Sequence, residues 1–459
     1  HTFTLGAQLE RLTRDEDETR NAGFSYTDEL PTDAAGNPLG ALNPDDRASW
    51  NLFSSDRGDE LHAKLEHIAL AAYVKDRIRI GSAAEVTPGV RLESFRGGFA
   101  GGAMPWSTLT VSPRVDAKWD LDPVTTLWGN GGRYYQNLTT SMYARARDGA
   151  AYSPLEYWDW RGDPQASPEP GFNDPGWARV RQFPALVGAL GQVRHPYLDR
   201  LNVGLNRAFE DIGLFTSVRY EYRRFGDMLA IQDVGGTYGE KSQLMASGET
   251  VTYPNLEAGS RQEYAVRNPA NARRDAHTFN VSLRERPPRP LDWLELRAAA
   301  TVRTDRGNLD SDSGLSTEWQ SPIGELGSFG NMPGVSPLQL YAGLTVDVLR
   351  FRIFADYTYI VGQYYSRVYF VRPDFAPRQF LYDDRGRGGY QYPDRHLVDL
   401  RVSRNIARFG GGTLSGWLQI YNLLNAGEPT SFREPATWFR GVRSLQAPRE
   451  MYLGLRYDL

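Results

Sequence analysis

The stretches of this sequence that alternate apolar and polar side chains are joined by connections that are short, then long, then short again, from one end to the other. The alternation is plain in Leu349, Phe351, Ile353, Ala355, Tyr357, Tyr359 and Val361, which share one phase, with Arg350, Arg352, Asp356 and Thr358 on the other. It recurs in Ile68, Leu70, Ala72 and Val74 against Tyr73, Lys75, Arg77 and Arg79, and at the C terminus in Met451, Leu453, Leu455 and Tyr457 against Glu450, Arg456 and Asp458. A period of two marks a strand with one apolar and one polar face. Such strands read at 2–11, 62–80, 84–97, 108–120, 125–137, 198–209, 213–233, 274–285, 291–304, 336–347, 350–366, 396–408, 412–426 and 448–459. The short connections, 81–83, 121–124, 210–212, 286–290, 348–349 and 409–411, alternate strictly with the long ones, 12–61, 98–107, 138–197, 234–273, 305–335, 367–395 and 427–447.

Strict sorting of loop length puts tight turns on one rim and large loops on the other. A sandwich or propeller has no reason to sort its loops by side, and no repeat of propeller length is present. The pattern matches an all-β antiparallel transmembrane β-barrel of about 14 strands here, with short periplasmic turns and long extracellular loops. A strand of ~12 residues at ~3.3 Å each, tilted by ~40°, rises about 30 Å, enough to cross the ~25 Å apolar band. The turns carry breakers at Gly81, Asp122-Pro123, Pro287-Pro288 and Gly410-Gly411. Trp119 and Trp293 fall near the short-turn ends, and Tyr134, Tyr135, Tyr220, Tyr222, Tyr364 and Tyr365 near the long-loop ends, as two interfacial girdles would place them. A soluble all-β protein is the bland alternative.

Composition narrows the chemistry. Formal net charge is −4, which gives no reason to invoke nucleic acid. With Cys at 0, disulfides, thiolate metal sites and cysteine nucleophiles are excluded. No window holds 18 apolar residues, so no helix spans a membrane. His62, His277 and His396 lie near long-loop ends without a recognisable motif, and no enzyme activity, cofactor or metal site is expected. Asp310-Ser311-Asp312 and Asp15-Glu16-Asp17-Glu18 lack the spacing of a calcium loop and read as solvated acids.

Several segments, in order along the chain, resemble the barrel of TonB-dependent outer-membrane receptors, especially the Oar-like branch. The first pair is Ala72-Tyr73-Val74-Lys75-Asp76 and Pro88-Gly89-Val90-Arg91-Leu92-Glu93. Ser112-Pro113-Arg114-Val115 ahead of Asp120, and Gly132-Arg133-Tyr134-Tyr135, follow. Tyr421-Asn422-Leu423-Leu424-Asn425 and the run from Pro448 to Tyr457 resemble that family's last strands. The resemblance implies energised ligand uptake across a Gram-negative outer membrane. Its partners would be membrane lipid and lipopolysaccharide, a plug domain absent from this chain, the TonB complex acting through that plug, and an extracellular ligand that the sequence does not identify. Family barrels have about 22 strands and a plugged lumen. Residues 1–459 are therefore expected to be one barrel domain, the C-terminal part of a larger plugged barrel. The last residue is Leu459, where the family usually ends in Phe. A passive channel closed at 14 strands and a surface adhesion or structural barrel remain alternatives.

On the polar phase, Arg77, Arg91, Arg114, Arg133, Arg219, Arg297, Arg352 and Arg401 are expected to face the lumen, where they either pair across strands or grip the plug. In loop 138–197, Tyr152, Tyr157, Trp158, Asp159, Trp160 and Trp177 are the first candidates for ligand contact. Tyr382 and Asp383 in loop 367–395 are the second. The competing account of these aromatics is that they pack the loops against one another.

Overall fold

A computed structural model describes residues 1–19, 24–27, 51–54, 60–99, 106–136, 155–160, 177–183, 189–190, 193–245, 248–260, 262–310, 315–316, 318–371, 373, 379–433 and 441–458. Its wall is a single meander of 14 strands. They are β1 (Thr2–Thr19), β2 (Glu60–Ile80), β3 (Ala84–Phe99), β4 (Trp106–Asp122), β5 (Thr125–Tyr135), β6 (Tyr197–Phe209), β7 (Leu214–Gly226), β8 (Arg274–Glu285), β9 (Leu294–Gly307), β10 (Leu338–Val348), β11 (Phe351–Ile360), β12 (Arg395–Phe409), β13 (Gly412–Tyr421) and β14 (Glu450–Asp458). Each pairs antiparallel with the next.

The differences from the sequence expectation have local causes. The first strand runs on from residue 11 to Thr19, laddered to Glu60. The stretch 213–233 breaks at Asp227, which takes a left-handed φ of 49°, and Leu229–Asp233 joins a separate small sheet. The stretch 412–426 stops at Tyr421, where Asn422 turns the chain with φ 48°. Because the alternation continues across each break, sequence alone joins the pieces.

Among the described residues β1 pairs only with β2, and β14 only with β13. Among the described residues no ladder joins β1 to β14. This corrects the alternative of a channel closed at 14 strands: the sheet has two open edges, whose backbone donors and acceptors do not meet each other.

Cross-strand partners share a face, so the register sorts every side chain. On one face lie Leu5, Leu109 and Leu453, which are 75 %, 74 % and 83 % exposed, together with Leu70, Leu127 and Leu201. A continuous apolar surface of this kind has no core to cover it and matches hydrocarbon. Trp119 and Trp293 stand exposed at the short-turn end. Tyr135, Tyr220 and Tyr222 lie on the same outer phase at the other end. Tyr134 instead turns inward, with the Arg114 guanidinium 4.5 Å from its ring centroid. Tyr364 and Tyr365 leave the wall for a short ladder with Tyr390 and Gln391.

The polar face is packed by rings lying on glycines. A Cβ on Gly204 would sit 2.5 Å from the Trp128 ring, and Trp417 covers Gly454 in the same way. Between β10 and β11, Leu349 and Arg350 both take positive φ, 50° and 71°, the two-residue turn that suits the twist of a hairpin.

The long loops build a cap with its own cores. The hairpin Tyr238–Leu244 with Thr250–Leu256, the 3-10 turn Pro322–Glu325 and the hairpin Val368–Val371 with Gln379–Tyr382 enclose Met245, Tyr253, Ile323, Tyr369, Val371 and Leu381. A second cluster gathers Met228, Ala230, Leu309 and Trp319.

Candidate functional site

On the inner face of the wall, arginines gather in places around a shared carboxylate. On β7, Glu221 accepts from Arg219 at 2.6 Å, from Arg200 of β6 at 3.0 Å, and lies 3.3 Å from Arg223. Arg219 also donates to Asn202, which in turn donates to Asn130. On β9, Glu295 is shared by Arg297 and Arg284 at 3.0 and 2.9 Å. Glu85 is held by Arg77 at 2.6 Å, with Arg79 at 3.6 Å. The Nε groups of Arg200 and Arg303 are enclosed with no hydrogen-bond acceptor among the described residues. One acid serves two or three cations, so each cluster keeps a positive surplus in a chain whose total charge is −4.

Of the arginines read from the sequence as facing the lumen, Arg77, Arg91, Arg114, Arg219, Arg297, Arg352 and Arg401 lie on this inner phase. Arg91 is clamped by Glu93. Arg352 approaches Asp347 at 3.5 Å. Arg401 lies 5.4 Å over the Trp417 ring. Arg133 departs from the expectation. It pairs across the ladder with Asp199, in register with Leu127 and Leu201, and so faces outward. Two hydrogen bonds of 2.7 Å to Asp199, and the Tyr197 ring 3.7 Å away, hold it there. Arg133 was assigned to the lumen as a residue of the polar phase, and the register of its strand contradicts that placement.

Arg200, Arg223, Asn202 and Glu221 were not singled out from sequence, although each falls on the polar phase of a recognised strand. A signal for them was therefore present. None existed for Arg387, which is 1 % exposed and donates to Glu318, 69 residues away, at 2.6 Å.

The loop candidates separate. Tyr152 lies outside the described residues. Tyr157, Trp158, Asp159 and Trp160 lie on the strand Leu155–Trp160, and Trp177 on Trp177–Phe183, which pair in a four-stranded sheet with Phe24–Thr27 and Asn51–Ser54. Tyr382 and Asp383 belong to the cap. Asp383 is buried, accepts from the Tyr390 hydroxyl at 2.6 Å and from the Arg385 backbone N–H, and so secures its own loop. Burial and the neighbouring carboxylate hold the Tyr390 hydroxyl above its ordinary pKa. Asp310 lies 3.4 Å from Arg274, which makes a bidentate pair with Asp305 at 2.9 Å; Arg274 and Asp305 are both buried.

Where loop 138–197 re-enters the wall, His195 is buried among Phe95, Trp106 and Tyr135. Its Nε2–H donates to the Gln136 carbonyl at 2.5 Å, which leaves Nδ1 to accept from the Thr108 hydroxyl at 3.1 Å. Burial lowers its pKa, against the opposing pull of that carbonyl.

No protein-family model matches the sequence, and no curated protein matches it. Solved structures do. The outer membrane transporter YddB from Escherichia coli aligns over 99 % of this chain and 51 % of its own, with a TM-score of 0.56 at 15 % identity. The ferric citrate transporter FecA aligns over 99 % of this chain and 55 % of its own, with a TM-score of 0.51 at 10 % identity. The chain thus spans about half the length of these structures, and what it shares with them is the outer-membrane β-barrel fold.

Proposed function

We propose that this chain, residues 1–459 as one barrel domain, supplies wall and outer loops of an energised receptor at the outer membrane of a Gram-negative cell. Its loops capture a ligand, a plug domain occupies the lumen, and a TonB complex acts on that plug. The observation that carries the reading is the cluster of three guanidiniums, Arg200, Arg219 and Arg223, around the one Glu221 on the inner face. Three guanidiniums that share one carboxylate keep N–H donors that an acidic or carbonyl-rich occupant of the lumen completes. The ordered series of family-like strands and the shared barrel fold support the same reading. The two open edges fit a wall continued by further strands, because hydrocarbon cannot satisfy a free edge.

The test is conductance and uptake in the full-length polypeptide. Planar bilayers holding it are expected to stay nearly silent, and to open at lower urea once Arg200, Arg219 and Arg223 are all changed to Gln. Uptake is expected to stop when the energy-coupling partner is deleted. A large, steady conductance in the unaltered protein, or uptake indifferent to that deletion, refutes the proposal.

A further inference from the structure

We infer that the inner face carries a socket for a single carboxylate, floored by Gly89 and flanked by Lys75 and Arg114. The inference rests on the proposed reading that this face lines the lumen. The socket belongs to β2, β3 and β4, apart from the cluster that Glu221 gathers on β6 and β7.

The strand register makes the space. Lys75 on β2 and Arg114 on β4 both lie opposite Gly89 of β3. Two basic side chains thus flank a strand position that has none of its own, and a recess of about 360 Å³ opens there, lined also by Thr87, Arg91 and Asp116. Its floor is tight: a Cβ on Gly89 would come 3.1 Å from the Val74 carbonyl oxygen and from the Lys75 Cβ. β2 ends at the short turn after Ile80, so Lys75 lies in the half of the wall remote from the long loops. Only something that enters the barrel reaches it.

The charges around the recess do not balance. On the inner phase of these strands Arg77 reaches Glu85 at 2.6 Å, Arg79 the same acid at 3.6 Å, Arg91 reaches Glu93 at 2.8 Å and Lys118 reaches Asp120 at 2.9 Å. Lys75 and Arg114 make no ion pair among the described residues. The Arg114 guanidinium rests 4.5 Å from the centroid of the Tyr134 ring, which orients it without neutralising it. Arg91 and Glu93 cancel, and Asp116 is the remaining acid on the lining. Two unpaired cations against that one acid leave a single positive charge, the complement of one carboxylate. A guanidinium offers a carboxylate paired donors, and the ammonium across the glycine adds rotatable ones. Two sources present such a head group: an acidic side chain of the plug, and a free carboxylate in transit through the lumen.

The test uses the full-length protein in neutral detergent, a water-soluble carbodiimide and succinate as the free probe. The reagent joins a carboxylate to a lysine amine where the two touch, and peptide mass spectrometry reads the new amides. The lysines of residues 1–459 are Lys64, Lys75, Lys118 and Lys241. Lys118 beside Asp120 reports on folding and reagent, and the exposed Lys64 on unselective coupling. Lys75 is expected to couple to a plug peptide, which assigns the socket to the plug, or to succinate well above the yield at Lys64, which assigns it to a ligand in transit. One charge-assisted hydrogen bond is worth about tenfold, so Arg114→Gln is expected to lower the Lys75 yield by about that factor and to leave the Lys118–Asp120 yield unchanged. Arg114→Lys is expected to restore most of it. Lys75 coupled only to Asp116, coupled no more than Lys64, or indifferent to Arg114→Gln overturns the inference. The first two outcomes are read in the unaltered protein, so a variant that folds poorly leaves the test intact. A large, steady bilayer conductance of the same preparation refutes the plugged lumen, whereas a silent bilayer with Lys75 coupled to Asp116 refutes only the socket.

Discussion

Ala298 and Ala299 are neighbours on β9 that should respond oppositely to one substitution. Ala298 is in register with Leu283 and Ala342 on the apolar face, and Ala299 with Ser282 and Tyr341 on the polar one. From Leu294 to Val302 the outer series climbs about 20 Å at ~3.3 Å per residue and ~40° tilt, most of the ~25 Å apolar band. Ala298 lies midway, at the depth where hydration is most remote. An arginine facing lipid there costs about 2–4 kcal/mol, a factor of about 30 to 1000 in the folding equilibrium. The same arginine at Ala299 enters a face already lined with Arg297 and Thr301, and is expected to cost about 0.5 kcal/mol. Urea titration of folding into lipid vesicles, followed by the heat-modifiable gel shift, measures both. Equal losses for Ala298→Arg and Ala299→Arg, or the larger loss at Ala299, would refute the assignment of faces on which the barrel reading depends.

The turn Leu349-Arg350 holds two side-chain-bearing residues at positive φ, each costing about 1 kcal/mol or more. Replacing the pair by Asn-Gly is expected to raise the unfolding midpoint by urea titration, and no rise would mean that the turn is not of this type. Asp305→Asn strips the buried Arg274 of its bidentate partner and is expected to cost about 3–5 kcal/mol, read as a lowered heat-modification midpoint. His195 has a folded-state pKa below its ordinary value of 6.5, so the unfolded segment binds the extra proton first. Its contribution is therefore whole above 6.5, falls as pH drops below that, and levels off once the buried imidazole itself protonates. Protease protection of the chain around 193–196 is expected to weaken over that window, and His195→Asn to remove the pH dependence.

The wall was legible because a two-residue period is a local signal, and lipid on one side keeps it clean. Each of the 14 wall strands overlaps a stretch that the alternation marked, although the bounds differ at residues 12–19, 227–233, 361–366 and 422–426. Local signals also mislead locally. Asp227 and Asn422 turn the chain without interrupting the pattern, and Arg133 has a polar head on an outward phase, which only the pairing with Asp199 explains. The cap was not legible. Tyr369 with Glu249 and Arg387 with Glu318 join residues 120 and 69 apart, and no spacing rule links them. Tyr382 and Asp383 drew attention as an aromatic beside an acid, a composition that loop packing and ligand capture share.

The crowding of cations around Glu221 bears on how reversible any contact inside this barrel can be. A lone ion pair, once broken by a competitor, strands a charge in a poorly hydrated place. Here one guanidinium can swing away to greet a newcomer while two others keep the carboxylate neutralised. For the lumen occupant proposed above, exchange would proceed by handing a bond from one donor to the next, so that the wall could release it without first having to come apart.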